Sequence, residues 1–273
     1  ALGTLTVNSA GTGNITFNSN ANIGTALAAG AAVFNVGNTD TGTLTIEGSV
    51  YNTTGAQTYT ATTGGNNIVI GGSSALAITT SNAAVSFGTS DVILHNDAAT
   101  TITTGGGAVN FGSSTTTIKL ESDGGDNDSL VISSGSGLVT FSGTVGATNE
   151  LGGLDVNATT AGTGNIDFLN NIGSDSQPGI AGITKIGGTT TNDINLFGTL
   201  YSFNGATTIT TASGQDIDLK AGSDTSFITS ADSIKFDSKV DLDNDSDFSV
   251  DTGSGAGDIT ITGAIIGDST ETV

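Results

Sequence analysis

Residues 75–88 (ALAITTSNAAVSFG) return as residues 99–112 (ATTITTGGGAVNFG), with eight of the fourteen positions identical. The shared residues of the first copy are Ala75, Ile78, Thr79, Thr80, Ala84, Val85, Phe87 and Gly88. Residues 130–142 (LVISSGSGLVTFS) overlay the pattern without a gap, at a somewhat longer step. Residues 206–219 (ATTITTASGQDIDL) overlay it with one inserted residue. A unit this short cannot bury its own apolar face, so successive units must stack on one another, as they do in a solenoid or a propeller.

The recurrent element is a short alternating segment behind a Gly, Asn or Ser turn: NITF, TLTI, NIVI, AVSF, AVNF, LVTF, NIDF, DINL, DIDL, SIKF and DITI. Apolar residues at i and i+2 flank a small or polar one, the period of a strand with one buried face. Their centres are Ile15, Leu44, Ile68, Val85, Val109, Val139, Ile166, Ile194, Ile217, Ile234 and Ile259. The steps between centres are uneven. Those from Ile68 to Val85 and from Ile217 to Ile234 are short, and those from Ile15 to Leu44 and from Val109 to Val139 are long. A coil averaging ~24 residues suits three short strands joined by tight turns, with residues 92–94 and then 116–120 as the third strand of successive coils. The expected fold is all-β: one domain over residues 1–273, a single-stranded parallel β-helix (β-solenoid). About eleven coils stacked ~4.8 Å apart make a rod roughly 50 Å long. Corner Asn and Gly residues supply left-handed conformations, and the single Pro fits a backbone whose N–H groups are wanted by the next coil. A β-sandwich would show longer strands and a core Trp or Tyr, and a propeller would show blades of ~40–50 residues with aromatic signatures.

Charge separates the two halves. Residues 1–120 hold Asp40, Glu47, Asp91, Asp97 and one lysine, Lys119, whereas residues 121–273 hold the other 22 of the 26 acidic residues and four lysines. The net charge of −21 repels phosphate, and with no basic patch the chain is not expected to bind nucleic acid. The absence of cysteine excludes disulfides and thiolate chemistry. No apolar run approaches the ~20 residues of a membrane span. The chain opens at Ala1 with neither Met nor a charged-then-apolar leader, which hints at export and processing.

The paired runs ITTSNAAVSFG and ITTGGGAVNFG, together with AGTGNITF at 10–17 and AGTGNIDF at 161–168, resemble the β-helical repeats of large bacterial surface proteins. Filamentous-haemagglutinin-like adhesins and autotransporter passengers are the nearest type. The resemblance is one of repeat style over most of the chain. It implies an extracellular right-handed parallel β-helix serving as fibre, stalk or adhesin, with no shared catalytic residues.

Candidate ligating residues are few. Asp241, Asp243, Asp245 and Asp247 recur at every second position, and on one extended strand they would share a face suited to a hard cation such as Ca²⁺. Ser246 and Thr252 stand where an EF-hand needs Gly and Glu. The competing expectation has Val240, Leu242, Phe248 and Val250 pointing inward and the aspartates merely solvated. A second cluster, Asp123, Asp126 and Asp128 with Glu121, surrounds Gly124-Gly125 and partly matches a calcium-binding nonapeptide, although an acidic corner loop explains it equally. His95 has no second His and no Cys to build a metal site, and is expected to be structural. The glycine runs at 105–107 and 253–257 precede strands, not helices, so they are turns and not phosphate cradles.

No cofactor other than Ca²⁺ and no catalysis are expected. The foremost expectation is an extracellular structural fibre whose copies join head to tail. The alternative is a rod or stalk segment of a surface adhesin that binds glycans. Two lesser alternatives are an ice-binding protein, suggested by Thr43/Thr45, Thr101/Thr103, Thr208/Thr210 and Thr260/Thr262, and a polysaccharide-active enzyme. The enzyme would need cationic side chains for acidic sugars, and this chain has no Arg and five scattered Lys.

Overall fold

The structure is a computed structural model that describes residues 3–9, 13–25, 30–36, 42–61, 67–95, 99–124, 128–243 and 247–267. These residues are all-β and contain no helix, and their strands stack in parallel as a β-solenoid. Each turn visits three faces. Val85–Gly88 lies on the first face, Val92–Leu94 on the second, Thr100–Thr103 on the third, and Val109–Phe111 returns to the first.

The first face is an eleven-stranded sheet running from Leu5–Ser9 to Ile265–Gly267. The third is nine-stranded, from Val50–Thr53 to Ile259–Ile261, which makes about nine full turns. The second consists of a five-stranded and a three-stranded sheet. Single bridges from Leu120 to Val145, Val145 to Ile172 and Ile172 to Tyr201 join them. Backbone N–H and C=O groups are thus exchanged between successive turns, which satisfies a polar main chain around an apolar interior.

The repeated copies occupy equivalent places. Ile78 pairs with Ile102 and Ile102 with Ile132, while Val85, Val109 and Val139 pair in sequence one corner later. The eleven centres taken above as one ladder, however, belong to three faces. Ile15, Leu44 and Ile68 lie on the second, Val85 to Ile217 on the first, and Ile234 and Ile259 on the third. The two short steps, Ile68 to Val85 and Ile217 to Ile234, are changes of face within one turn. Counting them as turns shortened the apparent period. On one face the advance varies, shorter from Ile194 to Ile217 and longer from Val109 to Val139. It averages roughly 26 residues. A second correction concerns residues 116–120: Thr116 closes a corner loop on Ser113, and the strand is Leu120–Ser122.

One inward column of the first face carries Phe34, Tyr59, Phe87, Phe111, Phe141 and Phe168, all buried. Neighbouring rings stack with centroids 4.6–5.2 Å apart and interplanar angles of at most 13°. The spacing between parallel strands, ~4.8 Å, falls inside the preferred range for offset aromatic stacking, so one side chain per turn fills the column without strain. Leu196, Leu219 and Leu242 continue it. Each buried side chain of this size contributes roughly 1.5–3 kcal/mol.

Two kinds of corner recur. Asn82 and Asn157 take left-handed φ values of 60° and 57°, as expected of turn residues. Gly107, Gly137 and Gly164 are needed for a different reason. A Cβ on Gly137 would lie 2.1 Å from the carbonyl oxygen of Gly107 in the preceding turn, and one on Gly164 would lie 1.9 Å from that of Gly137. Only glycine lets the coils close to strand spacing at that corner.

Candidate functional site

The acidic half of the chain places its charges in register on the outside of the first face. In Ile166–Phe168, Ile194–Leu196, Asp216–Leu219 and Lys239–Leu242 the residue between two buried apolar side chains is Asp167, Asn195, Asp218 and Asp241. These four pair in order across successive turns. Asp216 and Lys239 form a parallel column beside them.

Hydrogen bonds link the columns. Asn195 Nδ2 donates to Asp167 Oδ1 at 2.7 Å, and Lys220 Nζ donates to Asn195 Oδ1 at 2.7 Å. The same ammonium lies 3.0 Å from Asp218 Oδ2 and 3.9 Å from Asp243 Oδ2. Lys239 Nζ lies 2.6 Å from Asp216 and 2.9 Å from Asp241. Burial raises the pKa of Asp167, offset by the Asn195 hydrogen bond and by Lys220. Asp218 is raised for the same first reason, and Lys220 is again the main opposing influence. Hydrogen bonds that Lys239 donates to Asp216 and Asp241 push its pKa up.

Asp216, Asp218 and Asp241 each offer a carboxylate oxygen within 4.8 Å of the others, so these three are the residues that would hold a cation. Two ammonium groups already stand among them. A hard cation prefers six to eight oxygen ligands, and it would have to displace Lys239 to bridge Asp216 and Asp241.

The four aspartates singled out by their spacing do not share one strand. Asp241 lies on the first face, and Asp243 follows the end of that strand, its N–H donating to Leu219 O at 2.9 Å. Asp247 precedes Phe248–Asp251 on the second face, its carbonyl accepting from Thr225 N–H at 2.7 Å. Asp245 lies outside the described residues. Asp241 and Asp247 thus belong to different faces, so alternation in sequence is not alternation on one surface.

In the second cluster Asp123 pairs with His95 Nδ1, which gives that histidine a structural partner. Asp128 is fully buried and accepts from Ser122 Oγ at 3.4 Å, while Asp126 lies outside the described residues. Glu121 is buried and accepts the N–H groups of Thr148 and Asn149 at 3.0 and 2.9 Å, tying down the loop of the next turn. Among the described residues these acids do not converge as a three-carboxylate group.

Beside the ribbon, a cleft of about 580 Å³ opens at the corner between the third and first faces. Thr189, Thr211, Gln215, Asp216, Asp237 and Lys239 are among the residues that line it. The threonine pairs form no continuous surface. Down one outward column of the third face stand Thr101, Val131, Asp155, Lys185, Thr208, Lys235 and Thr260, so threonine never occupies two adjacent turns there.

Asp167, Asn195, Asp216, Asp218 and the two lysines were not singled out from the sequence. Their signal lies in the middle letter of IDF, INL, IDL and VDL, and in the lysines of DIDLK and KVDL. No family model, no curated protein and no solved structure matches the chain significantly.

Proposed function

We propose that the protein is a non-catalytic structural subunit of an extracellular fibre, joined head to tail to further copies of itself. The observation that carries this reading is the state of the two end turns. At one end Leu5, Val7 and Phe17 point toward the core but are only partly buried, as are Phe248, Val250, Ile261 and Ile265 at the other. Ile259 and Ile266 are 47% and 45% exposed. Leu5–Ser9 and Ile265–Gly267 each have a ladder partner on one side only. Among the described residues no helix covers either edge, and a bare parallel edge is a template for pairing.

The contact that suits these ends is heterologous. Residues 1–39 carry no charged side chain, whereas Asp251 and Asp258 stand near the other end, so two acidic ends repel and an acidic end meets a neutral one without penalty. A heterologous contact that does not close produces an open filament. The repeat style shared with filamentous-haemagglutinin-like adhesins and autotransporter passengers favours the cell surface as its place. A second reading, the stalk of a glycan-binding adhesin, is favoured by the polar cleft around Gln215, whose hydroxyl, amide and carboxylate lining suits a neutral polyhydroxyl ligand.

Sedimentation velocity tests the fibre. The parent chain should form large species, and replacing both Leu5→Lys and Val7→Lys should leave monomers with an unchanged circular dichroism spectrum. A parent that stays monomeric, or a double variant that assembles equally well, rejects the head-to-tail reading. Glycan binding by such a monomer would support the adhesin stalk.

A further inference from the structure

We propose that Lys220 and Asn195 condense into an isopeptide bond that covalently staples two neighbouring turns of the first face. The inference is independent of whether copies join into a fibre. It rests on four groups that the register brings together. Lys220 Nζ is 2.7 Å from Oδ1 of the Asn195 carboxamide, so the amine is already in contact with the group it would attack. Asp218 Oδ2 is 3.0 Å from the same nitrogen. On the far side, Asp167 Oδ1 is 2.7 Å from Nδ2, the leaving nitrogen. Asp167, Asn195 and Asp218 follow one another down a single column, and Lys220 comes from the end of the strand that carries Asp218.

The chemistry balances without an oxidant or a cofactor. Asp218 accepts a proton from the Lys220 ammonium, and the freed lone pair attacks Cγ of Asn195. The Nζ–Cγ bond forms, and the tetrahedral centre collapses as the Cγ–Nδ2 bond breaks. Asp167, entering as the protonated acid, supplies the proton with which Nδ2 leaves as ammonia, while the second proton of the attacking Nζ passes to water, which reaches the partly exposed Lys220 side chain, so a neutral amide forms and one ammonia is lost for each amide exchanged. Fixing nucleophile and carboxamide in contact replaces a bimolecular encounter with an intramolecular one, the main source of acceleration open to such a pair. A base beside the nucleophile and an acid beside the leaving group complete the requirement for proton transfer. With no cysteine in the chain, a Lys–Asn bond is a covalent tie that the residues present can supply between turns.

Intact-mass measurement of the full chain after prolonged incubation at mildly acidic to neutral pH is the test. The expected mass is lower than that of the sequence by one ammonia, and proteolysis should yield one branched peptide joining the segments around Asn195 and Lys220. Lys220→Arg keeps the charge and Asn195→Ala removes the electrophile, and both should retain the full mass. Asp167→Asn should slow the loss with the fold intact by circular dichroism. A parent that keeps its full mass overturns the proposal. So does a deficit that persists in Lys220→Arg, because succinimide formation at Asn204-Gly205 would also release ammonia.

Discussion

Gln57 occupies an inward position where its column neighbours one turn away are Ala32 and Val85. It is fully buried, and its Nε2 donates to the carbonyls of Tyr51 and Thr79, both at 2.9 Å. Its Oε1 accepts the Tyr59 hydroxyl at 2.5 Å. A buried polar group left without a partner costs about 1–3 kcal/mol. Gln57→Leu should therefore lower the melting temperature by stranding the Tyr59 hydroxyl. Adding Tyr59→Phe should restore part of the loss, because the stranded group is then gone. A double variant as unstable as the sum of the two single ones would show that the pair does not act as a unit.

The carboxyls of the acidic ribbon give a pH dependence of definite sign. Asp167 and Asp218 have folded pKa values above the ordinary carboxylate value because of burial, so above that value the folded state holds more protons than the unfolded one. Stability then falls as pH rises through this window. Asp237 behaves oppositely: hydrogen bonds from Lys235 and Thr262 hold its pKa down, and its contribution is lost only below the ordinary carboxylate range. Acidifying from neutral pH toward the ordinary carboxylate value should therefore raise the melting temperature, and Asp167→Asn with Asp218→Asn should flatten that rise. A melting temperature that falls steadily over this interval would contradict the assignment.

At the scale of strands, the ring column is the most exacting feature. Phe111 stacks between Phe87 and Phe141 at 4.9 and 5.2 Å. Phe111→Ala should cost about 3–5 kcal/mol, the usual range for emptying a buried aromatic site. Phe111→Leu should cost far less, since Leu196, Leu219 and Leu242 fill the same column farther along. Chemical denaturation of the two variants checks the difference, and equal losses would mean that ring stacking itself outweighs volume.

The strands were legible because an apolar–polar–apolar triplet has period two wherever it occurs. Their assignment to faces was not, because all three faces use the same triplet: NITF on the second, VNF on the first and SIKF on the third. Corner loops of unequal length, short between Ile194 and Ile217 and long between Val109 and Val139, remove the count that would have separated them. The acidic ribbon was hidden for the same reason. Asp167, Asn195, Asp218 and Asp241 become neighbours only once the register is known. The Asp241 to Asp247 run was conspicuous because its members are close in sequence, yet Asp241 and Asp247 stand at strands of different faces.

At the scale of the whole molecule, each turn is held by its neighbours and no central core binds distant parts together, so stability accumulates along the axis. The interior columns run the length of the rod and reach both ends without a covering element among the described residues. In the proposed fibre these ends are where copies meet. The net charge of −21 opposes side-by-side packing and leaves end-to-end contact as the favoured geometry. Electron cryomicroscopy of the purified chain at high protein concentration tests this most directly. The account predicts unbranched filaments one molecule wide, with strands perpendicular to the axis and a spacing of roughly 4.8 Å along it. Separate rods roughly 50 Å long, or sheets packed flank to flank, would contradict it.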